Sequence, residues 1–128
     1  MLMIEYINKI FPNQPPEIEE GNKEYKRNLL NEKLKKDFLN RRATQMKYRL
    51  LEGNGKAIYI LGIEDCGRAD GMNDKELKMT LQNIKKIADI INARINKIRI
   101  YKTIQKINKI ATVRIVLDNY LDNFIIEF

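Results

Sequence analysis

Three carboxylates, Glu20, Glu24 and Asp65, stand near the ends of segments that read as strands. Acids at neighbouring strand ends bind Mg²⁺ or Mn²⁺ through hard oxygen ligands, and a metal held that way promotes phosphodiester cleavage. A metal-dependent ribonuclease with these three residues as its catalytic cluster is therefore one candidate class. The ordinary alternative is that each acid is solvated or paired with a lysine, because a bare acidic triad is an unspecific pattern. Cys66 lies beside Asp65, but the chain contains no histidine to activate a thiol, which disfavours a nucleophilic role. The same lack removes the commonest zinc ligand and general base. Gly53-Asn54-Gly55-Lys56 has the outline of a phosphate loop and fails its tests. Leu50 stands where that loop needs glycine, Ala57 replaces the Ser or Thr after the lysine, and a helix precedes a strand. It reads as a helix-ending turn.

The basic residues offer different chemistry. Twenty-four Lys and Arg against seventeen Asp and Glu give a net charge of +7. The excess is gathered: residues 31–49 hold seven basic and two acidic side chains, and residues 94–114 hold seven basic and no acidic ones. Clustering of this kind suits a polyanionic partner, RNA or the ribosome, through phosphate contacts that position without reading sequence. The candidate contacts are Lys97, Arg99, Lys106, Lys109 and Arg114, with Arg41 and Arg42 from the earlier cluster. Tyr101, between Arg99 and Lys102, has the setting of a base-stacking aromatic; covering a sheet edge is the competing role. A merely solvated lysine-rich surface explains the same charge without any ligand.

The elements that must position these groups are legible from periodicity. Residues 33–51 carry Leu39, Ala43, Met46 and Leu50 at helical spacing. Asn73 with Glu76 is a capping box, and it opens a second helix with Leu77, Leu81, Ile84, Ala88 and Ile91 on one face. Residues 57–64 are a short apolar run bounded by glycines, a buried strand. Residues 22–30, 95–104 and 110–118 complete the strands; in the last, Ala111, Val113, Ile115 and Leu117 point one way, Thr112 and Arg114 the other. The expected fold is α+β, in the order β-α-β-α-β-β, a mixed sheet with two helices on one face. Lys97, Arg99 and Arg114 then share a face of the terminal hairpin. Residues 1–11 are expected as a short helix or a mobile arm ahead of Pro12, Pro15 and Pro16. One cysteine excludes an internal disulfide and suits a reducing, cytoplasmic setting. No stretch is long and apolar enough for a bilayer, so no membrane partner is expected.

Residues 15–26 (Pro-Pro-Glu-Ile-Glu-Glu-Gly-Asn-Lys-Glu-Tyr-Lys) resemble the lead-in of the GTP-binding protein one and two family, translational GTPases related to elongation factors Tu and one-alpha. Residues 43–50, residues 52–59, Gly62-Ile63-Glu64-Asp65-Cys66-Gly67 and Gly71-Met72 continue the likeness in order. The resemblance implies a parent GTPase whose nucleotide-binding domain follows this segment, with GTP and Mg²⁺ bound there and no cofactor here. It implies a division into an N-terminal arm (1–14), an accessory domain (15–118), and a linker with the start of the downstream domain (119–128). The parent's own GTPase domain becomes a second expected partner. The Glu-Tyr-Lys strand and the Gly-Ile-Glu-Asp turn are also similar to the AlbA-like core of Schlafen proteins, some of which cleave RNA. That likeness carries over the fold and RNA affinity.

Overall fold

In the computed structural model, which describes residues 2–30 and 36–118, the capping box works as its spacing requires. The Asn73 side chain accepts a hydrogen bond from the Glu76 N–H at 2.8 Å, and the Glu76 carboxylate accepts one from the Asn73 N–H at 3.1 Å. It opens helix α2 (Asp74–Ile90). Helix α1 (Lys36–Glu52) ends at the glycine pair. There Asn54 and Gly55 adopt positive φ, 54° and 90°, and the Gly55 N–H returns to the Leu50 carbonyl at 2.7 Å.

Five strands surround these helices in sequence: β1 (Met3–Ile10), β2 (Lys23–Lys26), β3 (Lys56–Leu61), β4 (Arg94–Lys102) and β5 (Lys109–Val116). Their spatial order is β1-β4-β5-β3-β2. β1 runs parallel to β4, β2 parallel to β3, and β5 antiparallel to both its neighbours. The class is α+β with a mixed sheet, as expected, enlarged by one strand. Residues 1–11 are the difference: in place of a helix or mobile arm, Met3–Ile10 forms an edge strand. Its partner is the remote β4, so nothing in the local sequence announces the pairing. The expected linker and downstream start at 119–128 lie outside the described residues.

Both helices cover one face. Met46 and Leu50 of α1 and Ile84 and Ile87 of α2 pack with Ala57, Tyr59 and Leu61 of β3, Ile98 and Ile100 of β4, and Val113 and Ile115 of β5. The other face carries only a small apolar cluster, Tyr25, Ile60, Ile63 and Ile110, with Phe11, Ile58 and Tyr101 against it. The two faces stay chemically distinct because β4 slips register against β5 between Ile95 and Lys97. The extra residue of this bulge lets Ile95 enter the core while Lys97 points away from it.

The connection from β1 to β2 joins opposite edges of the sheet and crosses the helix-free face. Backbone bonds fasten it: Phe11 N–H to the Lys102 carbonyl, Gln14 N–H to Gly67 and Glu17 N–H to Asp65, each at 2.8 Å. Gly67 has a φ of 96°, and a Cβ there would lie 1.8 Å from the Gln14 carbonyl oxygen. Gly67→Ala should therefore destabilise the chain by about 1–3 kcal/mol in urea unfolding. Gly21→Ala, at a φ of 89° but with nothing within 4 Å, should cost less; equal losses would refute the close crossing.

Candidate nucleic-acid interface

On the helix-free face the pleat brings together side chains from three inner strands and one edge. Lys97, Arg99 and Tyr101 of β4, Thr112 and Arg114 of β5, Ile58 and Ile60 of β3 and Lys23 of β2 line one shallow cavity of about 450 Å³. Residues 9–12 and Gln14 wall one end of it. Arg114 and Lys23 are exposed and have no ion-pair partner among the described residues. Lys97 and Arg99 face Glu5 of β1, with Nζ to Oε1 at 2.9 Å and Nε to Oε2 at 3.7 Å. The hydrogen bond from Lys97, with the charges of Lys97 and Arg99, holds the Glu5 carboxyl below its ordinary range against a smaller desolvation effect. Tyr101 meets Phe11 edge to face, ring centres 5.1 Å apart, which is a favoured aromatic geometry.

Of the residues expected to contact RNA, Lys97, Arg99, Tyr101 and Arg114 are thus assembled on one surface. Lys106 lies beyond it, in the β4–β5 turn beside a second cavity with Asn8, Lys9 and Lys102. Lys109 pairs with Asp74 at the start of α2. Arg41 and Arg42 belong to α1, on the opposite side of the sheet, where the Arg42 guanidinium sits 4.7 Å from the centre of the Phe38 ring. Sequence reasoning missed Glu5, Phe11 and Lys23. The β-branched and aromatic residues of the opening segment, Ile4, Tyr6, Ile7 and Ile10, were the signal available for the strand that brings Glu5.

The three acids do not assemble. Glu24 is 2 % exposed and its Oε1 accepts a hydrogen bond from Arg49 Nε at 2.9 Å. Glu20 and Asp65 are exposed. Among the described residues no three of His, Cys, Asp and Glu gather closely enough to hold a metal ion. The Glu24–Arg49 pair instead fixes the crossover. Arg49 Nη1 donates to the carbonyls of Glu19, Glu20 and Gly21 at 3.0, 3.2 and 2.9 Å, and Nη2 to that of Ile18 at 3.1 Å. Glu17 accepts a hydrogen bond from the Tyr25 N–H. Burial raises its pKa, and Glu24 nearby adds to this, against the Tyr25 hydrogen bond and the Arg49 charge.

No protein-family model matches the chain, and no solved structure matches it. Two curated proteins do: GTP-binding protein 2 of mouse and GTP-binding protein 2 of human, each 39 % identical over 89 residues. The chain is similar to part of a GTP-binding protein. The match takes in 69 % of this chain and 14 % of each relative's length. Among the described residues no helix is long and apolar enough to cross a membrane.

Arg49→Leu leaves the buried Glu24 facing Glu17 with Lys26, 3.5 Å away, as its cation, and should cost about 3–5 kcal/mol in denaturant unfolding. Adding Glu24→Gln should restore only part of that, since four carbonyls still lack their donor. Full recovery would show that Arg49 serves the ion pair alone. Glu17 gives a pH test. A carboxyl whose folded pKa is raised binds its proton more tightly when folded, so its contribution falls as pH rises from 4.5 through the folded value. The unfolding midpoint of Glu17→Gln should gain on the parent across that rise; a constant difference would contradict it.

Proposed function

We propose that this segment is a non-catalytic accessory domain of an elongation-factor-like translational GTP-binding protein, and that it contacts RNA or the ribosome through its helix-free sheet face. The observation that supports this is the gathering of Lys23, Lys97, Arg99 and Arg114 from three strands around Tyr101, away from the helices that stabilise the fold. Four cations over an apolar floor match a phosphate-bearing partner better than an apolar one. The likeness to GTP-binding protein 2 supports a GTPase parent. In this reading GTP and Mg²⁺ bind in the parent's downstream domain, whose surface is the second partner, and the protein works in the cytoplasm.

RNA binding measured across a salt series tests the face. At about 0.7 per phosphate neutralised, two contacts at the unpaired Arg114 and Lys23, rising to four where phosphate displaces Glu5 from Lys97 and Arg99, give a slope of roughly −1.5 to −3 for log K against log salt. Arg114→Glu should weaken binding and flatten that slope, whereas Arg41→Glu, on the helix layer, should change neither. An affinity independent of salt overturns the electrostatic reading. Absence of RNA binding, together with capture of the parent's GTPase domain in trans, would make the module a structural clamp.

A further inference from the structure

The helix-free face is graded rather than uniformly basic. Strand register resolves it into rows that run across the strands. The first row is Met3, Lys97, Arg114, Ile58 and Lys23; the second is Glu5, Arg99, Thr112, Ile60 and Tyr25; the third is Ile7, Tyr101 and Ile110. Residues two apart on a strand are about 6.5 Å apart, so the first row lies roughly 13 Å from the third. Three cations, Lys97, Arg114 and Lys23, stand in the first row with Ile58 between the last two, one arginine and a threonine hydroxyl occupy the middle of the second, and aromatic and aliphatic groups the third. Beyond the third row the β1–β2 crossover closes the cavity with Phe11 and Pro12, tied down by the Phe11-to-Lys102 and Gln14-to-Gly67 backbone bonds. At the β1 side Glu5 already occupies Lys97 and Arg99, which steers an added anion toward Arg114 and Lys23.

A polyanion held by charge alone needs no such gradient. A cavity of about 450 Å³, walled at one end, has the size of pockets that take a small ligand, and its cationic and aromatic ends match the two ends of one nucleotide. Resting on the RNA reading of this face, we propose that the pocket takes an unpaired ribonucleotide of a single strand. Its phosphate lies on the Arg114–Lys23 side of the first row, its sugar over Arg99 and Thr112, and its base against Tyr101 and the Phe11–Pro12 wall. The strand's backbone then runs along the cationic row, across the β-strands. Bases stacked inside a duplex do not reach Tyr101, because A-form RNA presents its backbone and minor groove to a protein surface.

Fluorescence anisotropy on the 128-residue chain tests this with a labelled single-stranded oligoribonucleotide, the same sequence annealed as a blunt duplex, and AMP as a competitor. The single strand should bind at least about tenfold tighter than the duplex. Tyr101→Leu, which keeps an apolar group against Phe11, should weaken single-strand binding about ten- to hundredfold and leave duplex binding unchanged. Tyr101→Phe should retain the parent's affinity, and Arg114→Glu should weaken both ligands. A duplex bound as tightly as the single strand, with Tyr101→Leu without effect, overturns the pocket while the electrostatic reading stands. No binding of either RNA overturns both. AMP competing at the concentration of the oligomer would assign the pocket to free nucleotides and overturn the strand path.

Discussion

A buried charge pair holds the two sides of this molecule in their relation. Glu24 on β2 and Arg49 on α1 are 2 % and 4 % exposed, a costly placement for two ions unless every remaining donor and lone pair is engaged. Arg49 meets that condition by donating to four successive carbonyls of residues 18–21. One guanidinium therefore connects the helix layer, the β2 edge and the incoming crossover. Hydrophobic burial alone fixes none of these orientations, because it is non-directional. The crossover in turn walls the cavity on the helix-free face, so the shape of a surface site depends on an interaction on the other side of the sheet.

The sheet separates two jobs. Its helix-covered side is closed by apolar residues in van der Waals contact, while on its other side the cations gather toward one end and the aromatic rings toward the other. Simple alternation along β4 would have placed Ile95 with Lys97, Arg99 and Tyr101. The register slip between Ile95 and Lys97 breaks that phase, and each residue reaches the environment its side chain suits. A single inserted residue thus supports both the core and the cationic row.

Much of this was legible in the amino-acid order, and the failures share a cause. The helices, the glycine stop, the capping box and the β5 alternation depend on neighbours a few residues apart, and the sequence displays such patterns directly. That Lys97, Arg99 and Arg114 share a face followed from period-two geometry. β1 is weakly marked because its pairing partner is remote, and the β-formers Ile4, Tyr6, Ile7 and Ile10 keep no strict alternation that would name a buried face. Glu24 looked like a candidate ligand because an acid beside a strand end reads the same whether it faces solvent or an arginine from a helix. Arg49 was counted in a basic cluster although it is internally neutralised. Charge windows add up residues without regard to depth or to side, so they also group Arg41 and Arg42 of α1 with the sheet cations.

The parallel pairing of β1 with β4 also has a consequence in time. The strand closest to the start of the chain waits for a partner from its far third, with both helices and two other strands between them. Closing so long a loop is entropically slow. On a nascent chain Met3–Ile10 is synthesised first among the strands, yet its hydrogen bonds form only after residues 94–102 have cleared the exit tunnel.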